Sequence, residues 1–187
     1  MDSLLAYFNS IHPLPEALVR HLKETLRQKE LSGKHYLFWS EQVCEHIYFV
    51  ERGLLRCFRV SGSKEICTRF MQEGDICISV QSFFRQQRSC ENIQAIEDSL
   101  VYYMSYEELQ NIYRKFPEFN FIGRVLIEKY YLLLDQEVNA MRAQNAGERY
   151  HWLIENFSDL MSRLPLKYIA SYLGITDVML SRIRSRA

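Results

Sequence analysis

Between Pro165 and Arg186 the sequence leaves the backbone little choice. Pro165 suits the first turn of a helix, where a missing N–H leaves no bond unmade. Gly174 can take the positive φ that ends a helix in a tight turn, and Thr176 is an N-cap for a second helix just after it. Ala170 is small where that second helix must cross closely. Ile169, Leu173, Ile175, Leu180 and Ile183 fall on the faces the two helices turn toward each other, while Arg182, Arg184 and Arg186 are left outward. The expectation is helix, turn, helix.

The chain before it changes period. Leu14, Leu18, Leu22 and Leu26 repeat at spacing four among charged residues and predict a helix over 14–31, with Pro13 and Pro15 at its start. Over 35–104 the period drops to two. Ile47 and Phe49 alternate with His46 and Tyr48, and Ile66, Thr68 and Phe70 alternate with Cys67, Arg69 and Met71. Turn signals separate these runs at Ser32-Gly33, Arg52-Gly53, Ser61-Gly62-Ser63 and Glu73-Gly74-Asp75. Short strands at such spacing predict an antiparallel roll, with Gly62 at a hairpin tip. Ser105-x-x-Glu108 is a capping box that opens the next helix. After Pro117 a long helix is expected to about Gln144, with Asn145-Ala146-Gly147 as a break and a short helix beyond it carrying Trp152, Leu153 and Phe157. The long helix has more apolar surface than one neighbour covers. A dimerisation helix is expected, one side on its own roll and the other on its twin, with Phe119, Ile122, Leu126, Tyr130 and Leu133 at the interface.

Charge and composition narrow the function. The 187 residues are 48% hydrophobic and carry no net charge, but the balance is uneven along the chain. Residues 163–187 hold Arg163, Lys167, Arg182, Arg184 and Arg186 against Asp177 alone, a local +4 on a body of −4. A basic end on an acidic body suits a polyanionic partner. Cys44, Cys57, Cys67, Cys77 and Cys90 are odd in number and form no C-x-x-C pair, so they read as small buried hydrophobes rather than metal ligands or disulfides. No nucleophile motif, H-E-x-x-H, Walker loop or GxGxxG occurs, so no enzyme is expected; Glu107-Glu108 reads as a helix first turn. The start has no basic region or cleavage site, and no apolar run spans a membrane; a cytoplasmic chain without a membrane partner is expected.

The C-terminal segment resembles the DNA-binding helix-turn-helix. In that motif the first turns of the second helix reach base edges, which places Asp177, Val178, Ser181 and Arg182 there. Arg182 has the fork that meets guanine O6 and N7. Lys167, Thr176, Arg184 and Arg186 are placed at phosphates.

Taken in order, the roll, the long helix and this motif resemble the Crp/Fnr family of bacterial transcription regulators. Residues 164–176 and 180–184 resemble its branch common in Bacteroidetes. Residues 49–56 and Glu73-Gly74-Asp75 are similar to turns of cyclic-nucleotide-binding domains. The resemblance implies an α+β chain: an N-terminal double-stranded β-helix (jelly roll) sensory domain over 1–115, a dimerisation helix over 116–144 and a helix-turn-helix domain over 145–187. It implies a homodimer, double-stranded DNA and RNA polymerase as partners, and a small-molecule effector in the roll. The alternative is a ligand-sensing module without transcriptional activity.

The departures from the family are specific. Its cyclic-nucleotide cassette has a Gly-Glu pair whose Glu accepts from the ribose, and an Arg-Ser or Arg-Thr pair whose Arg meets the cyclic phosphate. Aligned without gaps, this chain has Ile78-Ser79 and Ser89-Cys90 there, Arg88 one residue early, and Glu91 next. Ser79, Arg88, Ser89 and Cys90 are therefore the candidate effector pocket. Tight cyclic AMP binding is not expected, the effector is unknown, and no cofactor is expected. No cysteine precedes Cys44, so the iron–sulfur sensor of the Fnr branch is not expected. Val178-Met179 stand where the family often has Glu-Thr, so no operator carries over. A β-wing after Ala187 is expected to be missing or trimmed.

Overall fold

The structure, a computed structural model, describes residues 1–143 and 145–185. Helix α1 (Asp2–Ile11) and helix α2 (Glu16–Thr25) open the chain. Helix α1 was not anticipated from its sequence; it buries Leu4, Leu5 and Phe8, and the Phe8 ring meets Phe49 and Phe119 edge-on at 5.5 and 5.4 Å. Helix α2 buries Leu18 and Leu22 and stops at Leu26, whose backbone is extended. The expected helix over 14–31 is corrected here. Residues Arg27–Leu31 form strand β1 instead, because their backbone groups pair with the strand Ser99–Ser105 (β8).

The other strands are β2 (Tyr36–Phe38), β3 (His46–Arg52), β4 (Leu55–Ser61), β5 (Lys64–Met71), β6 (Ile76–Cys77) and β7 (Asn92–Ala95). They form two antiparallel sheets, ordered β1-β8-β3-β6 and β2-β7-β4-β5. Short helix α3 (Val80–Arg85) lies between β6 and β7. Gly62 sits at the β4–β5 tip with φ +61°. Gly53 takes φ +103°, and a Cβ there would lie 2.6 Å from the Ser99 Cα, so no other residue fits.

Strand phase departs from the period-two reading. On β5 the two alternating sets hold at their ends, with Cys67 and Met71 of one set buried and Ile66 of the other exposed, while Thr68, Arg69 and Phe70 are all half-buried. A bulge explains the local irregularity: Cys57 faces Arg69 and Phe58 faces Cys67, leaving Thr68 without a partner in the ladder. On β3, Ile47 to Val50 are all buried because helices cover the face that the opposite sheet does not; Phe8 of α1 lies against Phe49.

Helix α4 (Tyr106–Lys115) carries the expected capping box, with Ser105 Oγ accepting from the Glu108 N–H at 3.1 Å and the Glu108 carboxylate from the Ser105 N–H at 2.7 Å. Helix α5 (Pro117–Ala143) has 27 residues and is about 40 Å long. Its expected end at Gln144 lies outside the described residues. Phe119, Ile122 and Leu126 are buried in the chain's own core. Tyr130 is half-buried and its hydroxyl accepts from the Ile76 N–H at 2.7 Å, while Leu133 is only partly exposed. For Phe119, Ile122, Leu126 and Tyr130 the expectation of a dimer interface is therefore corrected, since they lie on the side of α5 that covers the roll. The exposed apolar residues are Phe121, Ile127, Tyr131, Leu132 and Leu134, on the other side.

Helix α6 (Ala146–Asn156), a 3-10 turn (Ser158–Leu160), helix α7 (Leu166–Leu173) and helix α8 (Asp177–Arg184) complete the chain. Asn145 caps α6, accepting from the N–H groups of Gly147 and Glu148. Tyr150, Leu153, Leu160, Leu164, Ile169, Ala170, Leu173 and Leu180 form a second core with Leu54 of the roll.

Candidate functional sites in the roll and the C-terminal helices

One cavity opens in the roll between α3 and the approach to β7. It holds about 200 Å³ and is lined by Arg59, Ser79, Gln81, Ser82, Gln87, Arg88, Ser89, Cys90 and Glu91. All four expected pocket residues, Ser79, Arg88, Ser89 and Cys90, line it. They meet because α3 ends at Gln86 in the left-handed conformation, which turns the chain back toward β7. Ser79 and Ser89 are buried with their hydroxyls 2.8 Å apart. Arg88 and Cys90 are exposed, and a backbone bridge to Val43 fixes Arg88.

Sequence reasoning missed the cations across the cavity. Arg59 of β4 and Arg69 of β5 come from a hairpin remote in sequence, and nothing local marks them. Arg69 Nη2 donates to the Ile78 carbonyl at 2.8 Å and stands 3.6 Å from Glu91 Oε2. Glu91 also accepts from Ser79 Oγ at 2.8 Å and lies 3.4 Å from Arg59 Nη2. Beneath this group burial pushes the Cys57 and Cys77 thiols up, so both stay neutral and apolar.

The C-terminal helices make a second candidate site. Gly174 caps α7 with φ +67°, and Thr176 Oγ1 accepts from the Met179 N–H at 3.2 Å to cap α8. Pro165 stands at the N-cap of α7 rather than inside its first turn. Leu180 holds α8 to the core, and Asp177, Val178, Ser181, Arg182 and Arg184 are exposed, Val178 by 61%. Lys167 and Thr176 are exposed beside them. Arg186 lies outside the described residues. Arg163, counted among the basic tail from sequence, is engaged elsewhere: its guanidinium makes two 2.9 Å bonds to Glu73 and also meets Glu97.

The two sites share the β4–β5 hairpin. Ser171 Oγ on α7 accepts from the Cys67 N–H at 2.9 Å and donates to the Glu65 carbonyl at 2.7 Å. Arg56, only 2% exposed, lies between the Phe58 and Tyr168 rings at 4.0 and 3.8 Å while pairing with Glu65 and Gln94. The Tyr172 hydroxyl donates to Glu137 at 2.6 Å; burial and that carboxylate push its pKa far up.

Two sheets, a helix crossing between β6 and β7, and a cavity beneath that helix are a specific arrangement, and residues 28–116 match the family model of the cyclic nucleotide-binding domain. Over that stretch the roll is similar to the cyclic nucleotide-binding domain family. Solved structures extend the likeness beyond that domain. CooA from Carboxydothermus hydrogenoformans, as a double mutant, is 23% identical with TM-score 0.73, over 98% of this chain and 83% of that one. The c-di-GMP-responsive global regulator CLP of Xanthomonas campestris is 12% identical with TM-score 0.73, over 92% and 91%. A structure described as a transcriptional regulator of the Crp/Fnr family, from Eubacterium rectale, is 16% identical with TM-score 0.70, over 92% and 83%. Two of these neighbours are described as regulators, one of them of the Crp/Fnr family, and at such identities the likeness is one of fold. Compared by sequence with curated proteins, the chain matches none. Among the described residues, no helix is long and apolar enough to cross a membrane.

Proposed function

We propose that this chain is a sequence-specific, DNA-binding transcription regulator that works as a homodimer, with a sensory roll that does not bind cyclic AMP tightly. The observation that carries the reading is the outer face of α8. Asp177, Val178, Ser181, Arg182 and Arg184 stand free on a helix held rigidly by a left-handed glycine turn, a threonine cap and a buried leucine. A short helix presented this way fits the major groove, with Arg182 on a guanine edge and Lys167, Thr176, Arg184 and Arg186 on phosphates. The regulator neighbours support a regulatory role for this chain.

The dimer follows from the uncovered side of α5. Ile127, Tyr131 and Leu134 repeat at spacings of four and three, and Phe84 of α3 faces the same groove as Ile127. A second copy related by a two-fold axis covers such a stripe with the same stripe and gives each half-site of DNA one α8.

The reading of the effector site rests on Glu91. A cyclic phosphate needs the arginines, and a carboxylate already stands on two of them. Cyclic AMP titrated into the protein is expected to give no saturable heat at micromolar concentration.

The test of the function is selection of bound fragments from random double-stranded DNA, followed by Arg182→Ala. The wild type is expected to enrich a two-fold site, and Arg182→Ala to lose about ten-fold or more in affinity, a bidentate contact contributing about 1–3 kcal/mol. With Lys167, Arg184 and Arg186 from each subunit on phosphates, log affinity falls against log salt with a slope of about −5. No enrichment, or enrichment indifferent to Arg182, overturns the reading and leaves a ligand-sensing module.

A further inference from the structure

The cavity in the roll is built around a negative charge that the chain supplies itself. The Glu91 side chain is 10% exposed, and its backbone is fixed where it stands, since the Glu91 N–H donates to Ser89 Oγ at 2.8 Å. Its carboxylate receives the Ser79 hydroxyl and faces the Arg59 and Arg69 guanidiniums. Arg88 and the amides of Gln81 and Gln87 line the same space. Two forked cations, a hydroxyl and nearby amides form a donor set that suits a small oxyanion. The lining contains no second acid: Arg59 and Arg88 share it with Glu91, and Arg69 stands 3.6 Å from the Glu91 carboxylate. The 3.4 and 3.6 Å separations are longer than a close ion pair, so both guanidiniums retain donors for another oxygen.

We propose that Glu91 is a tethered anion filling an oxyanion seat. While it is charged, the seat refuses phosphates; once the carboxylate is gone, the seat takes a phosphate-class ion in its place. Removing the charge takes away the carboxylate 3.6 Å from Arg69 and leaves only the weaker field of Glu137 on it, and a partly buried cation so placed draws in an anion from solution. This rests on reading the roll as the ligand-sensing part of the chain and is independent of DNA binding.

The test is calorimetric titration of inorganic phosphate, at constant ionic strength, into the full chain as wild type, Glu91→Gln and Glu91→Ala. Glu91→Gln keeps the shape and can still accept from Ser79; Glu91→Ala empties the seat and retains the backbone bonds that shape the loop. The wild type is expected to show no saturable heat. Both variants are expected to bind one phosphate per chain at least ten-fold more tightly than the wild type, and Arg69→Gln added to either is expected to abolish that binding. Saturable phosphate binding to the wild type comparable to that of the variants overturns the proposal. So does the absence of binding in either variant that keeps the wild-type circular dichroism and melting temperature. Variants that bind DNA but no phosphate refute the seat and leave the regulator standing. Phosphate binding by variants of a chain that selects no DNA does the reverse.

Discussion

Arg56 ties the roll to the C-terminal helices, and its contribution can be worked out. The side chain is 2% exposed, with its guanidinium 4.0 Å from the Phe58 ring centroid and 3.8 Å from that of Tyr168. It also donates two bonds to Gln94 and pairs with Glu65. Only the Tyr168 contact crosses between the two parts. A desolvated cation–π contact contributes about 1–2 kcal/mol, and a hydrogen bond to a charged group about 1.5–3 kcal/mol. Arg56→Ala is therefore expected to destabilise by about 3–5 kcal/mol, since it leaves Gln94 and Glu65 without their partner as well. Tyr168→Ala is expected to cost about 1–3 kcal/mol, because it removes one stack and some packing. The informative quantity is their coupling. Urea unfolding of the two single variants and the double variant is expected to give an interaction of about 1–2 kcal/mol. Additivity within about 0.3 kcal/mol would refute the claim that the stack holds the two parts together.

Other predictions follow from single contacts. Burial works against the Glu73 charge, but hydrogen bonds from Arg163 and from the Gly53 N–H outweigh it and hold the carboxyl below the usual range. A depressed carboxyl stabilises above the ordinary glutamate pKa, and that stability goes as pH falls through the folded value. Melting temperatures measured from about pH 6 to 3 are therefore expected to fall more steeply for the wild type than for Glu73→Gln. Asp75, which burial pushes up, acts in the opposite sense in both proteins; the Glu73 charge adds a smaller part of that rise, which Glu73→Gln removes. Gly174→Ala forces a Cβ at φ +67°, with the Arg149 guanidinium at 4.0 Å in ordinary contact, and is expected to cost about 1–2 kcal/mol by denaturant unfolding. Gly53→Ala, whose Cβ meets the Ser99 backbone, is expected to abolish soluble folded protein. Ile127→Glu with Leu134→Glu puts charges on the uncovered side of α5; sedimentation is expected to show monomers, with the melting temperature of the roll within a few degrees of the wild type's.

Legibility in the sequence followed the range of the interactions. The capping box at Ser105, the hairpin tip at Gly62, the turn at Gly174 and the cap at Thr176 are set within four residues, and each stands where the sequence places it. Arg27–Leu31 reads as helix because its neighbours do; it becomes a strand because β8, some seventy residues on, offers it an edge. The α5 residues fail in an instructive way. An apolar stripe shows that a face is buried, but not whether the cover is the chain's own roll or a second copy. Phe119, Ile122 and Leu126 look no different in sequence from Ile127 and Leu134, which stay uncovered. The pocket divides similarly. Ser79, Arg88, Ser89 and Cys90 come from one contiguous stretch, whereas Arg59 and Arg69 arrive by strand pairing.

Four of the five thiols are buried, three in the core of the roll and Cys67 beside Arg56, and burial holds them neutral; Cys90 alone is exposed, at the lip of the cavity. The native chain thus has its own attachment point for a reporter. A maleimide dye added to folded protein would mark that one sulfur and sit within reach of whatever enters the roll. Its fluorescence would follow occupancy during a screen of small molecules without any engineered cysteine, and the four interior thiols, appearing only on unfolding, would count the damaged molecules in the same tube.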